Sequence, residues 1–177
     1  MKIQKSEFPL DSNLFQTSYD YFDSYQSDLK DSKGSIDILT VSKAFISSSP
    51  QWIESLFQFR NKIVALFGLK TGPKTDRQTV LDNFNGQRGE QLGFFKVYER
   101  SENEIILGED DTHLDFRVSL LLKDQQATIK TLTITTTVIF HNFFGKLYFF
   151  PVKPFHRIIV PVMLKGIIKQ INLQEKV

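Results

Sequence analysis

The sequence contains no cysteine, which removes disulfides, thiol nucleophiles and cysteine-held metals from consideration. The fold must therefore rest on a hydrophobic core, and 177 residues are enough for one domain with such a core. The lack of thiols also suits a reducing compartment. The first residues, "MKIQKSEFPLDSN", carry no apolar run of the kind a signal peptide needs, so a cytoplasmic location is expected.

Acid is missing from one long stretch. No Asp or Glu occurs between Gln125 and Gln174, a segment that holds Lys130, Lys146, Lys153, Arg157, Lys165 and Lys169. Residues 1–124 hold 19 acidic against 15 basic side chains, so a formal charge of only +2 conceals a strongly uneven distribution. The asymmetry suits either an anionic partner or docking of the basic end on the acidic part of the same chain. The cations are spaced out, with no basic cluster interleaved with aromatics, so nucleic acid is not expected as a partner.

Long apolar runs are missing too. Within Phe143–Ile171 the longest charge-free apolar run is "IIVPVML", Ile158 to Leu164, and it contains Pro161. A spanning helix needs ~20 mostly apolar residues, and each central cation costs ~2.5–3.5 kcal/mol on insertion. No transmembrane segment is expected, while peripheral contact with a membrane surface stays open.

Aromatic bulk is what the chain has in excess, with 17 Phe. From Pro154 the pattern predicts a long C-terminal helix. Phe155, Ile158, Ile159, Val162, Met163 and Gly166 fall on one face, and Lys153, Arg157, Pro161 and Lys165 lie near the other side. Pro161 should kink or break it, and Gly166 should let it approach another backbone closely. Phe143–Phe150 reads as a separate short helix or turn, ended by "PVKP".

Ser18 to Leu29, "SYDYFDSYQSDL", alternates as a strand, with Tyr19, Tyr21, Tyr25 and Leu29 on one face. Asp23 shares that face, where a buried carboxylate would need partners. Asp37 suits the cap of a short helix, "ILTVSKAFI". Ser49 and Pro50 then suit the start of a second helix, with Trp52, Leu56, Phe59, Ile63 and Leu66 as its apolar stripe. Residues 70–92 read as a long loop. From Gly93 onward four strands follow, the last two joined by a hairpin turn at "KDQQ". A strand, two shorter helices, an antiparallel meander and a long terminal helix make an α+β single domain over residues 1–177, with a curved antiparallel sheet wrapped around the last helix.

Three stretches carry a resemblance: "SSSPQWIESLFQFRNKIVALFGLKTG" (Ser47–Gly72), "LGEDDTHLDFRVSLLL" (Leu107–Leu122) and "GKLYFFPVKPFHRIIVPVML" (Gly145–Leu164). With the element order, they make the chain resemble an uncharacterised bacterial branch of the helix-grip domains, the START-like and polyketide-cyclase-like (SRPBCC) superfamily. The resemblance implies a seven-stranded antiparallel sheet gripping the last helix, with a ligand cavity between. Members of that superfamily mostly bind lipids, sterols, polyketides or other apolar molecules, and a few are cyclases or hydrolases. Similar modules occur joined to nucleotide-binding oxidoreductase domains. This chain has no GxGxxG-type loop, and no cofactor is expected.

The most concentrated polar group is Asp111, His113, Asp115 and Arg117, alternate residues that share one strand face. They suit either acid–base work in a cavity or the solvated face of a half-buried strand. A site built from His113, His141 and His156 has no HxH or HExxH spacing, so no metal is expected. His156 and Arg157 are expected at the surface or beside Glu109, Asp110 or Asp111, and Ser47–Ser49 lack a GxSxG frame. The expected function is binding of an apolar or amphipathic small molecule between sheet and terminal helix. Phe155, Ile159, Val162 and Met163 would form the walls, and Asp23, His113, Asp115 and Arg117 are the polar candidates. The alternatives are an enzyme using an acid–base group in the same cavity and a protein- or membrane-interaction module.

Overall fold

The computed structural model describes residues 2–15, 18–53, 55 and 77–174. Strand β1 (Gln4–Lys5) is followed by β2 (Tyr21–Lys30), α1 (Ile38–Ser47), α2 (Arg77–Asn83), β3 (Gln91–Leu92), β4 (Phe95–Arg100), β5 (Glu104–Asp110), β6 (Leu114–Gln126), β7 (Ile129–Phe140) and α3 (Phe143–Gln174). The seven strands form one open antiparallel sheet in the order β1-β2-β7-β6-β5-β4-β3. The α+β architecture with a long C-terminal helix is as expected from the sequence.

Register decides which residues meet the helix. Tyr25 pairs with Ile134, Ile134 with Leu120 and Leu120 with Ile105. These residues therefore share the inner face, where they join Val160, Met163, Leu164, Ile167, Ile168 and Ile171 of α3 in one core. Ser24, Thr135, Ser119 and Ile106 share the outer face by the same pairing. That side is covered by the N-terminal segment, which carries Phe8 and Leu14 onto Ile106 in a smaller apolar cluster with Tyr19 and Tyr98. Buried Glu104 pins the segment: Ser12 Oγ donates to its Oε1 at 2.6 Å, Asn13 N to its Oε2 at 2.8 Å, and Ser119 Oγ also donates to Oε1.

Asp37 caps α1 as expected, accepting from Thr40 N at 2.8 Å. Residues 51–53 are helical, but Trp52 is exposed and Ile53 buried, so Trp52 is not the core residue that the stripe predicted. Leu56, Phe59, Ile63 and Leu66 lie outside the described residues. The expected loop over residues 70–92 contains α2 and β3 in its described part. The last hairpin turns at Ala127–Thr128, because "KDQQ" continues β6 through an irregularity between Asp124 and Gln126.

The largest difference is in α3. It runs unbroken from Phe143 through Pro151, Pro154 and Pro161, so Phe143–Phe150 is not a separate piece. Each proline deprives one carbonyl of an intrahelical donor, at Leu147, Phe150 and Arg157. All three of those residues are exposed, where water reaches the freed carbonyls and the helix can continue. Asn142 starts the helix: its Oδ1 accepts from Gly145 N at 3.1 Å and its Nδ2 donates to Thr112 O at 3.2 Å. Gly166 lies where a Cβ would come within 2.9 Å of Ser48 O, so the close approach expected there is present.

Candidate functional site

The cluster Asp111, His113, Asp115 and Arg117 does not face the helix. Arg117 and Asp115 alternate with Phe116 and Val118, which point to the core, and so lie on the outer side. His113 precedes β6 in a turn, next to Asn142 through Nδ1 at 3.0 Å. Asp115 meets His141 Nε2 at 3.1 Å. Arg117 lies 3.5 Å from the centre of the Tyr98 ring and donates to Asp110 at 2.5 Å and to the carbonyls of Glu109 and Phe116. Burial opposes ionisation of Asp110, but hydrogen bonds from Arg117 and Tyr98 outweigh it and hold the carboxyl below its ordinary range. Burial, then Asp110, pushes the Tyr98 phenol up to about 12. Arg117 borders a broad open hollow of about 880 Å³ on this outer side, with Arg88, Arg100, Glu99 and Asn13. The guanidinium is already committed to its own chain, and among the described residues no buried orphan polar atom belongs to the lining of the hollow.

A different constellation forms where β2 meets α3. β1 pairs with β2 at Tyr25 and Gln26, and Ser6 adds two bonds to Ser24, from N to O and from Oγ to Oγ, so the start of β2 lies beyond that pairing. The first half of α3 crosses this start: Tyr21 packs on Phe149 with ring centres 4.8 Å apart, and Lys153 Nζ lies 5.2 Å from the Tyr21 ring. Asp23, 3% exposed, sits below. Its Oδ2 accepts from Tyr21 Oη at 2.6 Å and contacts His156 Nδ1 at 2.8 Å. Among the described residues its Oδ1 has no hydrogen-bond partner, and neither does the buried Oγ1 of Thr136, the residue directly opposite on β7; the buried hydroxyls of Ser27 and Ser48 are orphans too, but not on opposed residues. Buried polar atoms are ordinarily satisfied, so two orphans on opposed residues mark a place for a further polar group.

Asp23 lines a recess of about 400 Å³ together with Tyr19, Asp20, Tyr21, Phe22 and Tyr25, and with Lys5, Lys153 and Arg157. Burial raises the Tyr21 phenol well above its ordinary range, the Asp23 carboxylate raises it further, and Arg157 acts in the opposite sense. Tyr25 is raised by the same two causes in the same order. Both phenols are therefore neutral donors at physiological pH.

The chain matches, over residues 15–163, the family described as "Protein of unknown function (DUF2867)". It belongs to that family. A comparison with curated proteins gave no match. The DUF2867 match covers β2, the described helices up to the middle of α3, and every residue around Asp23 and its recess except Lys5.

Of the candidate site residues read from the sequence, Asp23 is the one this DUF2867 chain places in the recess. Ile159, Val162 and Met163 do lie against the core. Phe155 does not; it is half exposed, because the buried stripe of α3 runs through Phe149, Val160, Leu164, Ile167 and Ile171 instead. His156 reaches Asp23 rather than Glu109, Asp110 or Asp111. The sequence reading missed Tyr21 and Lys153 as site residues, and Thr136 as the residue opposite Asp23. Two signals pointed there: a carboxylate on the apolar face of a strand, and a histidine turned to the same side of the helix as Phe149 and Val160. Among the described residues no three His, Asp or Glu side chains are close enough to hold a metal. His113, His141 and His156 go to Asn142, Asp115 and Asp23 respectively.

Proposed function

We propose that the protein is a small-molecule binding module that takes an amphipathic ligand where β2 meets α3. The observation that carries this reading is buried Asp23 on the wall of a cation-rimmed recess, its Oδ1 without a partner among the described residues and opposite a second orphan, Thr136 Oγ1, on β7. A ligand hydroxyl suits both, since it donates to the carboxylate and accepts from the threonine. Lys5, Lys153 and Arg157 favour an acidic group on the same ligand. The rings of Tyr19, Phe22 and Tyr25 suit an apolar body. A hydroxylated organic acid combines the three. The seven-stranded antiparallel sheet with a helix along its inner face supports the helix-grip reading, and the ligand classes of that superfamily are consistent with such a molecule.

One observation favours a second reading. The Asp23 carboxylate at Nδ1 of His156 orients the imidazole and leaves Nε2 for proton transfer, as an acid–base enzyme acting on the same ligand would need.

The test is a thermal-shift panel of fatty, steroidal and aromatic acids, each with and without a hydroxyl, on the parent protein and on Asp23→Asn. Saturation at 100 times Kd adds ~2.7 kcal/mol, which raises Tm by roughly 5–10 °C for a domain of this size. A hydroxylated acid should give that rise with the parent and a much smaller one with the variant. A flat response across the panel rejects the binding reading. Conversion of a bound acid, seen by mass spectrometry, selects the enzyme.

A further inference from the structure

The first half of α3 is apolar on the side turned away from the sheet. Phe143, Phe144, Leu147, Phe150 and Ile158 are each more than half exposed, with Phe150 at 79%. At 100° per residue, Leu147, Pro151, Pro154 and Ile158 lie within a narrow arc of one another, while Gly145, Phe149 and Val160 lie on the buried side. Scattered apolar side chains are normal at a surface, but a continuous helical stripe rich in phenylalanine is a site of interaction.

The charges around the stripe identify the occupant. Lys146, Lys153 and Arg157 line one flank. Lys165 falls 18 residues, or five turns, after Leu147 and so continues the same line, with Lys169 beside it. The helix carries no acid at all. Asp23 and Asp115, on the strands beside it, are engaged with His156 and His141. The side turned away from the sheet is thus apolar at its beginning and basic along its flank and continuation. Phenylalanine and leucine on one arc with lysine and arginine beside them suit the interface of an anionic bilayer. A second copy fits poorly, because a two-fold contact through this stripe would bring the cations of one protomer against the same cations of the other.

By length and composition α3 is also the one helix among the described residues apolar enough to cross a membrane. Its second half is already occupied by the sheet core, from Val160 to Ile171, so only the outward side of the first half is available. The geometry points to α3 as a peripheral anchor. It lies flat on an anionic lipid surface, with Phe143, Phe144, Leu147, Phe150 and Ile158 in the interfacial layer and the lysines among the phosphates. The recess at β2, which shares Lys153 and Arg157, then opens beside the lipid surface. The anchor itself does not depend on what the recess binds.

The experiment is flotation of the full chain with phosphatidylcholine vesicles and with vesicles containing 30% phosphatidylserine, at low and at high salt. Binding is expected to the anionic vesicles at low salt and to fall at high salt. Leu147→Ser with Phe150→Ser alters exposed side chains only and should abolish binding while leaving Tm unchanged. Lys146→Gln, Lys165→Gln and Lys169→Gln should each weaken binding about fivefold, the equivalent of ~1 kcal/mol per cation near the surface. The inference is overturned if the parent stays with the unbound protein at low salt, or binds neutral and anionic vesicles equally. It is also overturned if the double serine variant, still folded by circular dichroism, floats as the parent does, or if that variant instead converts a dimer to a monomer in gel filtration.

Discussion

His156 Nδ1 and Asp23 Oδ2 lie 2.8 Å apart although 133 residues separate them in the chain. The contact ties the first half of α3 to the start of β2. Asp23 also takes the Tyr21 hydroxyl, so one carboxylate organises a phenol, an imidazole and the rim of the recess.

Breaking that contact should destabilise the fold and not only the recess. Asp23→Ala leaves the His156 and Tyr21 groups half-buried without their acceptor, at a cost of about 1–3 kcal/mol. Urea unfolding of Asp23→Ala, His156→Ala and the double variant measures the coupling. A term above ~0.5 kcal/mol is expected for residues in direct contact. Additive single effects would mean that the pair contributes nothing of its own.

The Tyr21 phenol provides an alkaline signature. Burial, and then Asp23, raise its folded pKa above the unfolded value of about 10. Its stabilising contribution is therefore complete below pH ~10 and is lost as pH rises from there through the folded value. Tyr21→Phe should flatten the alkaline limb of a Tm-against-pH curve, and ultraviolet titration of the native protein should lose one late-ionising phenol.

Asp37 provides the opposite limb. Burial opposes its ionisation, but the hydrogen bonds from Thr40 outweigh it, so the folded pKa lies below the ordinary value of about 3.9. The cap is in place above that value and is lost as pH falls through the folded one. Asp37→Ala should cost about 1 kcal/mol at neutral pH by chemical denaturation, with the difference vanishing in strong acid.

Gly166→Ala should destabilise, although alanine is the better helix former by about 1 kcal/mol. The new methyl would meet the carbonyl oxygen of Ser48 at 2.9 Å and its hydroxyl at 3.0 Å, and the carbonyl belongs to the backbone and cannot turn away. Overpacking of this kind costs about 1–3 kcal/mol, so a fall in Tm is expected. A rise would show that α3 and the end of α1 are free to separate.

Glu104→Gln should loosen the N-terminal segment selectively. Both carboxylate oxygens act as acceptors, from Ser12 and Ser119 hydroxyls and from Asn13 N. An amide presents a donor to one of those donors. Hydrogen exchange should accelerate over residues 8–14 more than at the amides of β6 and β7.

The sheet and the terminal helix were legible because the residues that build them obey their periods. Val118, Leu120 and Leu122 alternate on β6, and Asp37 sits where a cap belongs. The helix face was misjudged for a physical reason. Apolar residues occur on nearly every side of α3, so periodicity could not tell Phe155, which is exposed, from Val160, which is buried. The outer cluster misled in another way: alternation places Asp115 and Arg117 together on one side of a strand but does not say which side the helix covers. The recess was half legible. Asp23 stood out as a carboxylate on an apolar face, whereas Thr136 lies in a run of threonines and only the β2–β7 register singles it out.

The place of β2 beside β7 has a consequence for synthesis on the ribosome. The strand leaves the exit tunnel early but must wait for a neighbour encoded about a hundred residues later, some 5–20 s at ordinary elongation rates. Until then its tyrosines and Phe22 lack their neighbours across the sheet, and the inner apolar surface of the meander stays bare until α3 follows. Nascent chains stalled before β7 should therefore be the aggregation-prone ones, and emergence of α3 the step that covers the inner face.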